Sequence, residues 1–284
     1  VWLTPALFAL FTYGLGQGLV KKYVGDVSPA RFCLFFIIAR SVVGLGYFVW
    51  SGEAIGFAAK AFLGWTFFVY LLDGTGWILY YKSILRGPIS LVGTVSAAYP
   101  GLTVLLAAIF LGERLSPTQA LGVALVLAGC LGLSYSPPEP GQAPGSKAWI
   151  GLAAAALACW GTGQTILKYA YTLPGASEAQ AMLMMTLGGW LTLGLYGFVG
   201  GRSGGWSWVA TQLAMVPMGL MACGDAAVIV ATRYGPVSIV APLTAAYPVV
   251  TIAFARLVLK ETVSRLQYAC VAATLTGMVL SSVG

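Results

Sequence analysis

Histidine and asparagine are both absent from this 284-residue chain, and charged residues make up only 8% of it. The lack of histidine excludes Ser-His-Asp and Cys-His catalysis and His-ligated zinc; the lack of asparagine excludes N-linked glycosylation. The five cysteines (Cys33, Cys130, Cys159, Cys223 and Cys270) stand singly in apolar runs without C-x-x-C spacing. That pattern reads as small buried hydrophobes, not as a metal or redox centre. Soluble domains carry about 25% charged residues. Here 59% of residues are hydrophobic and the mean hydropathy is +0.87, which excludes a soluble fold. The net charge of +7 does not point to nucleic acid, because the 15 basic residues are scattered over helix ends and loops with no aromatic-interleaved cluster.

What is present is a succession of apolar runs. A bilayer crossing takes about 20 residues, and ten such spans leave room for little besides short loops. The chain also repeats itself. Residues 87–134 and 235–282, at an offset of 148, match at 19 of 48 positions, and both hold Ala-Ala-Tyr-Pro. The opening span repeats at an offset of 147: Tyr13-Gly14-x-Gly16-Gln17-x-x-x-Lys21 answers Trp160-Gly161-x-Gly163-Gln164-x-x-x-Lys168. A fixed-offset repeat decides the architecture before any local detail.

Ser116-Pro117-Thr118-Gln119 and Ser264-x-x-Gln267 read as capping boxes that start the fifth helix of each half. Residues 135–147 form a Pro/Gly-rich linker of stiff, solvated composition. The expected fold is therefore an all-α integral membrane protein of ten transmembrane helices in two five-helix repeats, residues 1–134 and 148–284. Five crossings are odd, so the second repeat is inverted. Equivalent loops carry unequal basic charge, as opposite sides of a membrane require: Lys21, Lys22 and Arg31 answer Lys168 alone, whereas Arg114 answers Arg256, Lys260 and Arg265. Sorting basic residues by side gives ten against four, with Arg40 mid-span, which places the termini outside the cytoplasm.

With these motifs in view, the chain resembles the drug/metabolite transporter superfamily, in its EamA-type ten-helix branch. The resemblance rests on aromatic-Gly-x6-Lys in both opening helices and on Pro100…Leu111-Gly112-Glu113-Arg114…Gly122…Gly129. Its copy is Pro248…Lys260-Glu261…Gly277. It implies a central cavity lined mainly by helices 3, 4, 8 and 9, with helices 5 and 10 peripheral. It also implies alternating access for small organic solutes, no cofactor, a multi-pass place in a bacterial cytoplasmic membrane, and cytoplasmic termini. The last point conflicts with the charge count.

The candidate substrate-binding residues fall into two groups. Ser96, Tyr99 and Thr103, repeated as Thr244, Tyr247 and Thr251, form a polar stripe on each Tyr-Pro helix. Pro100 and Pro248 free the carbonyls of Ser96 and Thr244 and are expected to kink their helices. Each stripe is either a cavity wall or a polar seam between helices. The second group is charged. Asp73 and Asp225 are mid-span carboxylates, each costing about 3 kcal/mol if unpaired. Asp73, Trp77 and Tyr80 share a face suited to a cationic or aromatic solute. Arg40 either neutralises Asp73 or binds a substrate carboxylate. Glu113 and Glu261 read as structural loop contacts, and Lys82 and Lys168 as snorkelling end residues.

The function expected is secondary transport of a small organic solute (an amino acid, or a cationic or aromatic metabolite), by export or exchange, with proton coupling as an option. The expected partners are the solute and the lipid bilayer, with no nucleic acid. A non-transporting membrane receptor on the same fold is the alternative. An enzyme is not expected, because no acid–base pair or metal spacing accompanies the lone acids.

Overall fold

Residues 1–23, 27–55, 59–87, 89–134, 147–200, 208–260 and 262–283 are described in a computed structural model. The linker at 135–146, with Pro88, Arg202 and Glu261, lies outside the described residues. Hydrocarbon offers backbone groups no water, so a spanning segment must satisfy them within itself. Among the described residues every regular element is accordingly helical.

The first half comprises α1 (Leu3–Tyr23), α2 (Pro29–Ser51), α3 (Lys60–Ile84), α4 and α5 (Pro117–Ser134). Helix α4 is assembled from Ile89–Ala97, Tyr99–Leu106 and a π-helical turn, Ala107–Leu111. The second half comprises α6 (Ala148–Ala170), α7, α8 (Trp208–Tyr234), α9 and α10 (Arg265–Ser282). Helix α7 runs as Glu178–Gly189, a π turn at Trp190–Gly194, and Leu195–Gly200. Helix α9 runs as Val237–Ala245 and Pro248–Leu257. Among the described residues nine of these helices are long and apolar enough to cross a membrane. The tenth, α10, is diluted by Arg265, Gln267 and two terminal serines, yet packs extensively along α5.

Both expected capping boxes form. Gln119 N–H donates to Ser116 Oγ at 3.2 Å and Ser116 N–H to Gln119 Oε1 at 3.0 Å. The same pair at Ser264 and Gln267 measures 3.2 and 2.8 Å.

The two halves interleave by a repeated rule: the opening helix of each packs on the third helix of the other, α1 on α8 and α6 on α3. The contacts obey the 147/148 offsets. Trp149 closes over Gly87, and Trp2 over Gly235. Thr103 Oγ1 donates to Gly161 O at 3.3 Å, and Thr251 Oγ1 to Gly14 O at 3.0 Å. This exchange is the physical form of the inverted repeat, because identical surfaces meet across a pseudo-two-fold axis. The chain's two ends and the α4–α5 and α8–α9 loops share one face, here the terminal face.

Both Tyr-Pro helices break where the sequence placed the kink. The first segment of α4 ends at Ala97 and the next begins at Tyr99, with Pro100 in its first turn; α9 stops at Ala245 and resumes at Pro248. Each break is bridged by short i→i+3 bonds. Ala98 N–H donates to Val95 O at 3.3 Å and Gly101 N–H to Ala98 O at 3.0 Å; the copies, from Ala246 to Leu243 O and from Val249 to Ala246 O, measure 3.2 and 3.1 Å. The hydroxyls stay with the preceding turn: Ser96 Oγ donates to Val92 O at 2.8 Å and Thr244 Oγ1 to Val240 O at 3.0 Å.

Candidate functional site

A cavity of about 490 Å³ lies where the halves meet, within the ordinary range for a small-molecule site. Its wall draws on α1 to α6, α8 and α9, whereas α7 and α10 contribute nothing to it. Helix α5 reaches it only through Leu133 and Ser134 at its end.

At one side of the cavity α2 delivers Arg40, whose side chain is 2% exposed and lies 4.1 Å from the centre of the Phe36 ring. The guanidinium joins two carboxylates from two other helices. Nη1 is 2.6 Å from Asp73 Oδ2 on α3, and Nε is 2.7 Å from Asp225 Oδ2 on α8. Tyr13, on α1, donates its hydroxyl to Asp225 Oδ1 at 2.6 Å. A buried charge requires this kind of pairing and hydrogen bonding to be tolerated. The group spans both halves, with Tyr13, Arg40 and Asp73 from the first and Asp225 from the second.

The wall beside it is aromatic. Trp160 on α6 lies 5.2 Å from Trp77, 5.7 Å from Tyr80 and 6.0 Å from Tyr99, between ring centres. Its Nε1 donates to the backbone oxygen of Asp73 at 3.3 Å. Tyr13, its counterpart, sits 6.1 Å from Tyr247. These rings fit because glycine faces each of them. A Cβ on Gly76 would come within 2.7 Å of Trp160 Nε1, and one on Gly224 within 2.7 Å of the Tyr13 ring.

Of the expected residues, Arg40, Asp73, Trp77, Tyr80, Ser96, Tyr99, Asp225, Tyr247 and Thr251 line the cavity, as does Pro248. Thr103 and Thr244 do not. Thr103 is fully buried and donates to Tyr99 O and Gly161 O, and Thr244 is buried, donating to Val240 O and meeting the Tyr99 side chain of the other half. The stripe is thus part wall and part seam, because the kink turns its two ends to different neighbours. Pro100 also stays behind the wall.

Sequence reasoning passed over the opening helices. Tyr13, Gln17, Trp160 and Gln164 all line the cavity. The signal was present in the repeated aromatic-Gly-x-Gly-Gln motif, which was read as a mark of the repeat and of the resemblance and not as part of the wall. Lys168 also differs from expectation. It does not snorkel: its Nζ donates to Thr232 O at 3.0 Å and Gly235 O at 2.7 Å, capping the end of α8. Glu113 completes that corner by accepting from Val237 N–H at 3.0 Å and Ser238 N–H at 2.9 Å at the start of α9. Nearby, Arg233 pairs with Glu178, and Ser177 hydrogen-bonds Glu53 of the first half. Lys82 lies 6.0 Å from the Tyr196 ring centre, away from the charged group. Among the described residues no three Cys, Asp or Glu side chains gather to hold a metal ion.

Comparison with known proteins agrees with this architecture. The EamA-like transporter family matches the chain twice, over residues 1–135 and 147–283. A curated relative, an uncharacterized transporter, YwfM, of Bacillus subtilis (strain 168), is 28% identical over 123 residues. That match spans 43% of this chain and 42% of the relative. A solved structure described only as a crystal structure of a protein superposes with a TM-score of 0.78 at 18% identity, over 98% of this chain and 95% of the other, a likeness of fold.

Proposed function

This chain belongs to the EamA-like transporter family, and we propose that it is a secondary transporter moving a small organic solute through the central cavity by alternating access. The solute class is an amino acid or a cationic or aromatic metabolite, carried by export or exchange across a bacterial cytoplasmic membrane. The observation that carries this reading is the Asp73–Arg40–Asp225 group, which ties the two repeats together at the cavity they enclose. Intramembrane charge is expensive and is retained mainly where it serves a pathway.

In this reading the halves 1–134 and 148–284 rock against each other about the cavity. The terminal face is held by the corner at Lys168 and Glu113 and by the Ser177–Glu53 contact. The breaks at Ala98 and Ala246 are the points where α4 and α9 flex. Uncoupling the corner opens that face while the other closes.

Purified full-length protein reconstituted in liposomes should exchange a labelled solute drawn from a panel of amino acids, amines and aromatic metabolites. The absence of flux for the whole panel, both with a proton gradient and with solute on both sides, would overturn the proposal in favour of a receptor.

A further inference from the structure

The charged group is unbalanced, and the imbalance has an address. One guanidinium faces two carboxylates, so with both acids ionised the group carries one net negative charge. Both oxygens of Asp225 have a donor: Oδ2 takes Arg40 Nε and Oδ1 takes the Tyr13 hydroxyl. Asp73 receives Arg40 on Oδ2 alone, and among the described residues its Oδ1 has no hydrogen-bond donor. Its side chain is 23% exposed, against 14% for Asp225 and 2% for Arg40. The surplus charge therefore faces the cavity at Asp73 Oδ1.

Two further features line the same cavity. Trp160, tied to the Asp73 backbone, presents its ring with Trp77 and Tyr80 as an aromatic wall. One turn along α6 on the same face, Gln164 also lines the cavity, and its Oε1 is buried with no donor. Leaving a buried acceptor unsatisfied is costly, and a ligand N–H relieves it once the amide turns toward the cavity. The cavity thus offers one exposed acceptor, a second that a rotation of the Gln164 amide would bring to its surface, and an aromatic wall. Among the described lining residues Arg40 is the strong cationic donor, and it directs its Nε and Nη1 to the acids beside Phe36.

We propose that Asp73 Oδ1 is the docking point for the ammonium of an arylalkyl monocation, with Gln164 Oε1 as a second acceptor and Trp77, Tyr80 and Trp160 around the ring. Asp225 and Tyr13 act as positioning residues that hold Arg40 against the acids. The assignment deepens the transporter reading by selecting a cation over a carboxylate. With both acids ionised the surplus charge disfavours anions, and a zwitterion's carboxylate has to compete with Asp73 and Asp225 for Arg40.

The test measures binding to the detergent-solubilised full chain by thermal shift, which does not depend on transport. Four probes share one ring and differ in charge: 2-phenylethylammonium, 2-phenylethanol, phenylacetate and phenylalanine. The cation should bind about tenfold or more tightly than the other three. Asp73→Asn, which leaves Arg40 and Asp225 balanced, should remove that advantage. Should Asp73→Asn not fold, Gln164→Leu should weaken the cation and leave 2-phenylethanol unchanged, whereas Gln164→Glu should strengthen the cation. Equal binding of phenylacetate or the alcohol, an unchanged cation affinity in folded Asp73→Asn, or no stabilisation by the cation overturns the proposal. Each of those results leaves the transporter reading to its own flux assay. A lack of flux alongside cation-selective binding overturns transport and keeps the site.

Discussion

Arg40 Nε lies 2.7 Å from Asp225 Oδ2, joining α2 of the first repeat to α8 of the second beside the cavity. Because the same guanidinium also holds Asp73, its removal leaves two carboxylates with no cation. Breaking a buried pair by deleting one partner costs about 3–5 kcal/mol. Arg40→Met should therefore lower the thermal unfolding midpoint sharply in detergent. Arg40→Met combined with Asp73→Asn and Asp225→Asn should recover most of the loss, since all three charges are then gone. No rescue would show that Arg40 acts through packing alone.

Tyr13 contributes one hydrogen bond to a charged group, worth about 1.5–3 kcal/mol. Tyr13→Phe should destabilise the protein by that amount in wild type and by much less in an Asp225→Asn background. A double-mutant cycle on unfolding midpoints reads the difference. Additive effects would place the hydroxyl's role elsewhere.

Lys168 and Glu113 clamp the turn between α8 and α9 from its two ends. In Lys168→Met the carbonyls of Thr232 and Gly235 lose their donor, and local opening should become easier. Hydrogen exchange across residues 232–238 should accelerate about tenfold or more, and peptides from α10 should not change. Unaltered exchange in the turn would dismiss the clamp.

The α5–α10 seam depends on small residues, which let membrane helices approach closely. A Cβ on Gly122 would sit 2.4 Å from Ser281 N, and one on Gly129 2.1 Å from Thr274 Oγ1. Gly122→Leu or Gly129→Leu should give aggregated or unstable protein on size-exclusion chromatography. A Cβ on Gly151 meets nothing within 4 Å, so Gly151→Ala should be neutral or stabilising by up to about 1 kcal/mol.

The repeat, the helix count, the capping boxes at Ser116 and Ser264 and the breaks before Pro100 and Pro248 were all legible in the residues. Each rests on short-range chemistry: spacing along one helix, a side chain and a backbone group three residues apart, or a proline that cannot donate. Partnerships between helices were not legible in the same way. Asp73 and Arg40 stand 33 positions apart and Arg40 and Asp225 185 apart, and sequence left Arg40 equally open to a substrate carboxylate. Tyr13 and Trp160 were passed over because an aromatic beside a glycine reads as packing until its neighbours are known. Lys168 looked like an end residue because nothing local marks the carbonyls of Thr232 and Gly235, at the end of α8, as its partners.

The chain by itself thus determined that the protein lies in a membrane as two inverted halves, because hydrophobic length and an odd repeat allow little else. It also determined which residues were too costly to be idle. Only the tertiary structure decided how those costs are met. One buried guanidinium is shared between two acids, one acid is completed by Tyr13, and the other keeps an oxygen toward the cavity. That allocation depends on which faces of α1, α2, α3 and α8 meet, and interhelical geometry leaves no periodic trace in a sequence.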